Sequence, residues 1–268
     1  MTNPTSRRAS PRPPIGLLLP AAIGLALFVV PLVGLLARTP WADLLDLVTG
    51  AVVTDALRLS LVSSLGATVV SLLLGVPLAW VLARVEFPGR SLVRGLVTLP
   101  LVLPPVVGGA ALLFAVGRRG LVGGPLERMT GLVLPFSTAG VVLACTFVAM
   151  PFLVITVEGA LRTMDRRQED AAATLGASRW TVLRRVTLPV IAPSLVSGLV
   201  LTWARAFGEF GATVTFAGNL QGRTQTLPLA VFVALESQRD TAVAISLVMV
   251  AVSLAVLVGL RGRWWPTS

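Results

Sequence analysis

Six apolar runs of roughly twenty residues constrain this chain more than anything else in it. They fall at Ile15 to Leu36, Ala56 to Ala83, Leu96 to Val116, Thr138 to Glu158, Pro193 to Gly211 and Thr241 to Leu260. About twenty residues of helix, each rising about 1.5 Å, are what a chain needs to cross the hydrocarbon of a bilayer. Backbone donors and acceptors in lipid must pair within the chain, so only helices and closed barrels persist there. The runs lack the ten-residue alternation of barrel strands, which leaves an all-α integral membrane protein with six transmembrane helices. Composition agrees, with 55% hydrophobic and 13% charged residues among 268.

The net charge of +10 would suggest nucleic acid in a soluble chain, but here its distribution follows the membrane. With the N-terminus in the cytoplasm, Arg7, Arg8, Arg12, Arg84, Arg90, Arg94, Arg162, Arg166, Arg167, Arg179, Arg184, Arg185, Arg261 and Arg263 fall inside. Arg38, Arg58, Arg118, Arg119, Arg128, Arg205, Arg223 and Arg239 are left for the other side or the outer helix ends. That asymmetry places both termini in the cytoplasm. A signal peptide is the competing reading of the N-terminus. The first run is longer than a signal peptide's apolar region and no A-x-A site closes it, which favours an uncleaved first helix. Cys145, the only cysteine, can form no internal disulfide and reads as a small packing residue.

The residue types that are missing narrow the chemistry. All 22 basic residues are arginine, and the chain has no histidine and no tyrosine. Without lysine there is no Walker A loop and no Schiff base, and without histidine no imidazole base and no histidine-ligated metal. Intramembrane hydrolysis would rest on serine or carboxylates alone, and no G-x-S-x-G is present. An ion-coupled transporter would need intramembrane carboxylates or an inverted repeat. Only Glu158 and Glu209 lie near membrane depth, and no repeat is evident.

Between the fourth and fifth runs lies a polar segment, 162–189. Arg162 to Asp170 is dense in charge, and Ala171, Ala172 and Ala173 favour helix with a small, close-packing surface. Gly176 is where such a helix would stop, because glycine takes the left-handed conformation without steric cost. Ser178 is placed to cap a second short helix, Arg179 to Val186, whose C-terminal dipole Arg184 and Arg185 would complement. Leu188-Pro189 would end that helix and turn the chain toward the next span. The bland alternative is a solvated loop lying on lipid headgroups.

The spacing resembles the signature of the membrane subunits of ATP-binding-cassette importers: E-A-A, three residues, G, nine residues, I-x-L-P. Asp170 holds the glutamate position, Ala171, Ala172 and Gly176 match, and Val186, Leu188 and Pro189 complete it. Glu169 is a second carboxylate beside that position. The resemblance implies a cytoplasmic coupling helix, with Glu169, Asp170, Ala171, Ala172, Gly176, Leu188 and Pro189 as the residues that meet a separate ATPase. It implies a type I importer permease fold over 54–261, with the span 15–36 as an added arm and 1–14 and 262–268 as cytoplasmic tails. It also implies a transport subunit rather than an enzyme, with no cofactor in this chain, because ATP and Mg bind the partner ATPase.

Two membrane segments break the helical rule. Leu99 to Gly109 holds Pro100, Pro104, Pro105, Gly108 and Gly109, and broken backbone at membrane depth is tolerated only against protein or a water-filled cavity. It reads either as a lining of the translocation pathway or as a plain proline kink. In Trp203 to Thr213, Arg205 and Glu209 are four apart and able to pair, as a pathway element or as a self-satisfied structural pair. Gly208, Gly211 and Thr213 complete the pathway candidates. Both segments, with Ala217 to Asn219 and Gly222 to Ala230, resemble the molybdate permeases, and the sulfate and thiosulfate permeases share much of the stretch from Gly208 to Ala212. The resemblance implies import of molybdate or tungstate by alternating access, with sulfate or thiosulfate as the alternative. The implied partners are a second permease copy, identical or a sister chain, two ATPase subunits and an extracytoplasmic oxyanion-binding protein.

Overall fold

The computed structural model describes residues 15–259. The terminal tails, with Arg7, Arg8, Arg12, Arg261 and Arg263, lie outside the described residues. Within them every regular element is helical: α1 (Ile15–Ala37), α2 (Leu44–Thr49), α3 (Ala51–Arg84), α4 (Arg90–Val102), α5 (Pro105–Val116), α6 (Gly123–Thr130), α7 (Thr138–Thr163), α8 (Arg167–Thr174), α9 (Arg179–Val182), a π turn (Leu183–Thr187), α10 (Leu188–Phe207), α11 (Gly211–Ala217), α12 (Leu227–Ser237) and α13 (Arg239–Gly259). Five stretches are long and apolar enough to span a membrane: Gly16–Ala37, Ala51–Arg84, Thr138–Thr163, Arg179–Phe207 and Arg239–Gly259.

The third apolar run is not one helix. Leu103 and Pro104 are both extended, and the chain divides there into α4 and α5. The ring of Pro104 disfavours helical backbone at Leu103, while Pro105 sits in the first turn of α5, where its missing donor is not needed. Pro77, Pro151 and Pro193 stay inside longer helices, so what breaks the third run is two prolines in succession.

The core forms where α3 and α7 pack along their length and α10 closes against both. Along α3 runs a stripe of small residues at three- and four-residue intervals, Ser60, Ser64, Ala67, Ser71, Gly75 and Ala79, all buried, of which Ala67 and Gly75 lie against α7. Small side chains let membrane helices approach closely, so that dispersion replaces a hydrophobic driving force that lipid cannot supply. A Cβ on Gly75 would stand 3.2 Å from Met150 Cγ and 3.3 Å from Val154 Cγ2. Some buried hydroxyls return to their own helices: Ser63 donates to Leu59 O at 2.7 Å and Thr202 to Gly198 O at 2.8 Å. In contrast, α1 buries nothing along its apolar window and rests lightly on α13.

The fifth span begins earlier than hydropathy suggests, and one expectation fails. Leu188-Pro189 does not end a short helix or turn the chain; helix runs from Arg179 to Phe207 through the π turn. Pro189 has no N–H to offer the preceding turn. The wider turn absorbs this, with the Leu188 amide donating five residues back to Leu183 O. Arg184 and Arg185 therefore do not stand at a helix C-terminus. Arg184 lies over the Trp180 ring instead, 5.4 Å from its centre.

Candidate functional site

The segment after α7 builds two short helices from local signals. Asp165 accepts from the Arg167 amide at 3.0 Å as α8 begins. At its end, Gly176 adopts φ +84°, Ala177 N donates to Ala172 O at 3.1 Å, and Gly176 N donates to Ala173 O at 3.0 Å. These paired bonds are the Schellman arrangement, which satisfies the last carbonyls of a helix and requires a left-handed residue. Ser178 caps α9 as its sequence position predicts, accepting from Thr181 N at 3.2 Å. No residue of α8 is buried. Beside it Leu175 is 89% and Trp180 63% exposed, large apolar groups on an otherwise polar loop.

The structure separates the two neighbouring carboxylates. Glu169 turns toward the body of the protein, 3.0 Å from Arg84 at the end of α3, and accepts from the Thr187 hydroxyl at 2.6 Å. Asp170, one residue on, is exposed. Between the end of α3 and the loop lies a cavity of about 650 Å³, lined by Trp80, Arg84, Glu169, Ala173, Trp180 and Thr187 among others. A second ionic contact joins α4 to α7 at the same end: Arg94 Nε donates to Glu158 at 3.0 Å, and Arg162 stands 3.9 Å from that carboxylate. Sequence reasoning missed both long-range pairs. Glu158 is the only carboxylate of α7, which was a signal that it needed a cation, but nothing in the sequence named Arg94.

At the other candidate region the fold brings the two irregular segments together. A Cβ on Gly109 of α5 would lie 2.7 Å from Ala212 O and 2.8 Å from Thr215 Cβ of α11, and one on Gly211 would meet Pro105 Cβ at 2.9 Å. Gly108 is shut by Phe147, 3.0 Å from where its Cβ would be. Gly109 and Gly211 are present because two backbones touch. α10 ends at Phe207, so Glu209 lies past the helix end, yet it pairs with Arg205 at 2.6 Å and accepts from the Ala212 amide at 2.8 Å. Its side chain is 1% exposed, with both oxygens engaged. Thr213 is buried with Cys145 Sγ at 4.0 Å, and that thiol, packed in the core, also points at Ala206 O at 3.6 Å. Pro104, Pro105 and Gly208 remain exposed, with Pro100 half-buried.

The run Arg223 to Ala230 proves structural at its centre. Thr224 accepts from Leu220 N at 2.9 Å, and Leu227 N donates to Ser60 on α3 at 2.7 Å. Thr224, Thr226, Leu227 and Leu229 are buried, fixing the start of α12 against α3.

Comparison with known proteins gives this architecture relatives. Residues 71–263 match the family described as binding-protein-dependent transport system inner membrane component. The chain is 50% identical over 245 residues to a molybdenum transport system permease protein of Mycobacterium tuberculosis, covering 91% of this chain and 92% of the relative. It is 35% identical over 227 residues to a sulfate transport system permease protein of Escherichia coli, covering 84% and 82%. Among solved structures, a bacterial ABC transporter involved in import of the acidic polysaccharide alginate shares the fold, with TM-score 0.73 at 20% identity over 94% of this chain and 95% of that one. The match across most of the chain and the shared fold together make this multi-pass membrane protein a member of the family of binding-protein-dependent transport inner membrane components.

Proposed function

We propose that the chain is the permease subunit of an ATP-driven importer that carries molybdate, with tungstate as a close analogue, across the cytoplasmic membrane by alternating access. The observation that carries this reading is the gap between 50% identity to a molybdenum permease and 35% to a sulfate permease at similar coverage. Two copies of the chain form the pathway, two separate ATPase subunits bind ATP and Mg, and an extracytoplasmic binding protein delivers the anion. Both termini lie in the cytoplasm, on the side of Arg84, Arg94, Arg162 and the α8–α9 loop, in keeping with the arginine asymmetry.

In this reading α8 is the coupling helix. Asp170, Ala171, Ala172 and Gly176 form the docking surface, with small side chains that admit close approach and a short stiff helix that passes on displacement as a rigid body. Glu169, Leu188 and Pro189 belong to the same coupling element. Pro100, Pro104, Pro105, Gly108, Arg205, Gly208, Glu209, Gly211 and Thr213 belong to or brace the pathway. Of these, Glu209 braces it, because a carboxylate facing an oxyanion alone would repel it and its pairing with Arg205 removes that charge. A transport pathway must release what it admits, so strong anion ligation in this chain is not needed.

The test is ATPase activity of the reconstituted complex with binding protein loaded with molybdate or with sulfate. Stimulation by the molybdate-loaded protein in excess of the sulfate-loaded one supports the reading. Preference for sulfate replaces the substrate, and uptake without ATP under a proton gradient overturns the energy source.

A further inference from the structure

We infer that Arg84, Glu169 and Thr187 form a latch that fastens α8 to the membrane helices, and that Arg84 is the positioning residue through which α8 moves with α3. The inference rests on the reading of α8 as the ATPase-docking element and adds to it the means of attachment.

A helix that transmits force must be held by something. No residue of α8 is buried, it packs on α9 and the π turn next to it in sequence, and the cavity of about 650 Å³ opens between the loop and the end of α3. Apolar packing therefore does not tie α8 to the bundle. The tie is electrostatic: Glu169 Oε2 lies 3.0 Å from Arg84 Nη2, and Glu169 Oε1 accepts from Thr187 at 2.6 Å. The contact is sheltered, with the Arg84 side chain 8% and the Glu169 side chain 18% exposed, so it escapes the screening that makes surface pairs weak.

The three residues come from three places. Arg84 ends α3, a helix of 34 residues and about 50 Å, which exceeds the ~30 Å of hydrocarbon and carries that charge beyond it. Thr187 closes the π turn inside the helix of the fifth span. One carboxylate thus joins the second and fifth spans to the docking helix. The arrangement also assigns different work to the adjacent carboxylates: Glu169 faces inward and holds, while Asp170 faces outward and is free to meet the partner.

The latch is tested in the assembled transporter by amide hydrogen exchange across 167–175 and by the ratio of stimulated to unstimulated ATPase rate with molybdate-loaded binding protein. Arg84→Met and Glu169→Gln should each speed exchange in α8 about tenfold, as expected when a local tie is lost, and lower the stimulation ratio. Thr187→Val, a milder change, should do the same to a smaller degree and stands in if either of the others fails to assemble. Wild-type exchange in both Arg84→Met and Thr187→Val overturns the latch, and faster exchange with undiminished stimulation overturns its part in transmission. The exchange measurement uses no substrate, so a wild-type transporter that responds to sulfate and not to molybdate would sink the proposed cargo and leave the latch standing.

Discussion

The contact between α5 and α11 and the loop carrying α8 and α9 both depend on glycine and glutamate, and they use them for opposite reasons. Gly109 and Gly211 occupy ordinary backbone conformations where no side chain fits, whereas Gly176 stands in open space in a conformation that side chains disfavour. Glu209 is held by a residue four before it and an amide three after it, while Glu169 is held by an arginine 85 positions earlier. The first region is defined by volume and the second by conformation and one distant charge. A region of the first kind resists deformation, and one of the second kind can move as a unit, which suits the proposed pathway wall and the proposed docking helix respectively.

Volume should therefore be the most damaging change in the first region. Gly109→Leu must displace the backbone of α11, since its Cβ alone would come 2.7 Å from a carbonyl oxygen. We expect a cost at or above the ~3 kcal/mol upper range of overpacking and loss of monodisperse protein in detergent. Normal yield and thermal stability would remove the distinction between the regions. Next in size, Glu209→Ala leaves Arg205 unpaired and the α11 amide unsatisfied, at about 3–5 kcal/mol by analogy with buried pairs. Thermal unfolding of Arg205→Ala beside it measures how much of that cost is shared, and unchanged uptake by an assembled Arg205→Ala variant would exclude contact of that side chain with the anion.

In the loop, a Cβ at Gly176 would meet no atom within 4 Å, but Gly176→Leu must take a left-handed backbone costing about 1–2 kcal/mol. Membrane insertion and bundle stability should survive while ATPase co-purification or coupling is lost. Gly176→Asn, which tolerates that conformation, should keep both. The smallest effect belongs to Ser178→Ala, which removes one cap worth about 1 kcal/mol and should show only as faster exchange at Arg179 to Val182.

Much of this was legible in the chain because it depends on neighbours in sequence. Five of the six expected spans, an irregularity among Pro100, Pro104 and Pro105, the stop at Gly176 and the cap at Ser178 all follow from hydropathy, missing donors and turn chemistry within a few residues. The Arg205–Glu209 pair was visible for the same reason. The small-residue stripe of α3 emerged only once the fold set α7 beside it. The continuity through Leu188-Pro189 was misread because a proline usually marks an end, and the π turn that accommodates it leaves no local signature.

The sequence by itself determined the solvent, the helical class, the rough placement of five spans and the absence of lysine and histidine chemistry, since each follows from composition or from spacing along one chain. Tertiary structure alone decided that Gly109 touches Ala212, that Arg94 answers Glu158 and that Glu169, rather than Asp170, reaches Arg84. Those contacts join residues 64 to 103 positions apart, and their geometry is set by how long helices cross. A one-dimensional pattern contains no such distance.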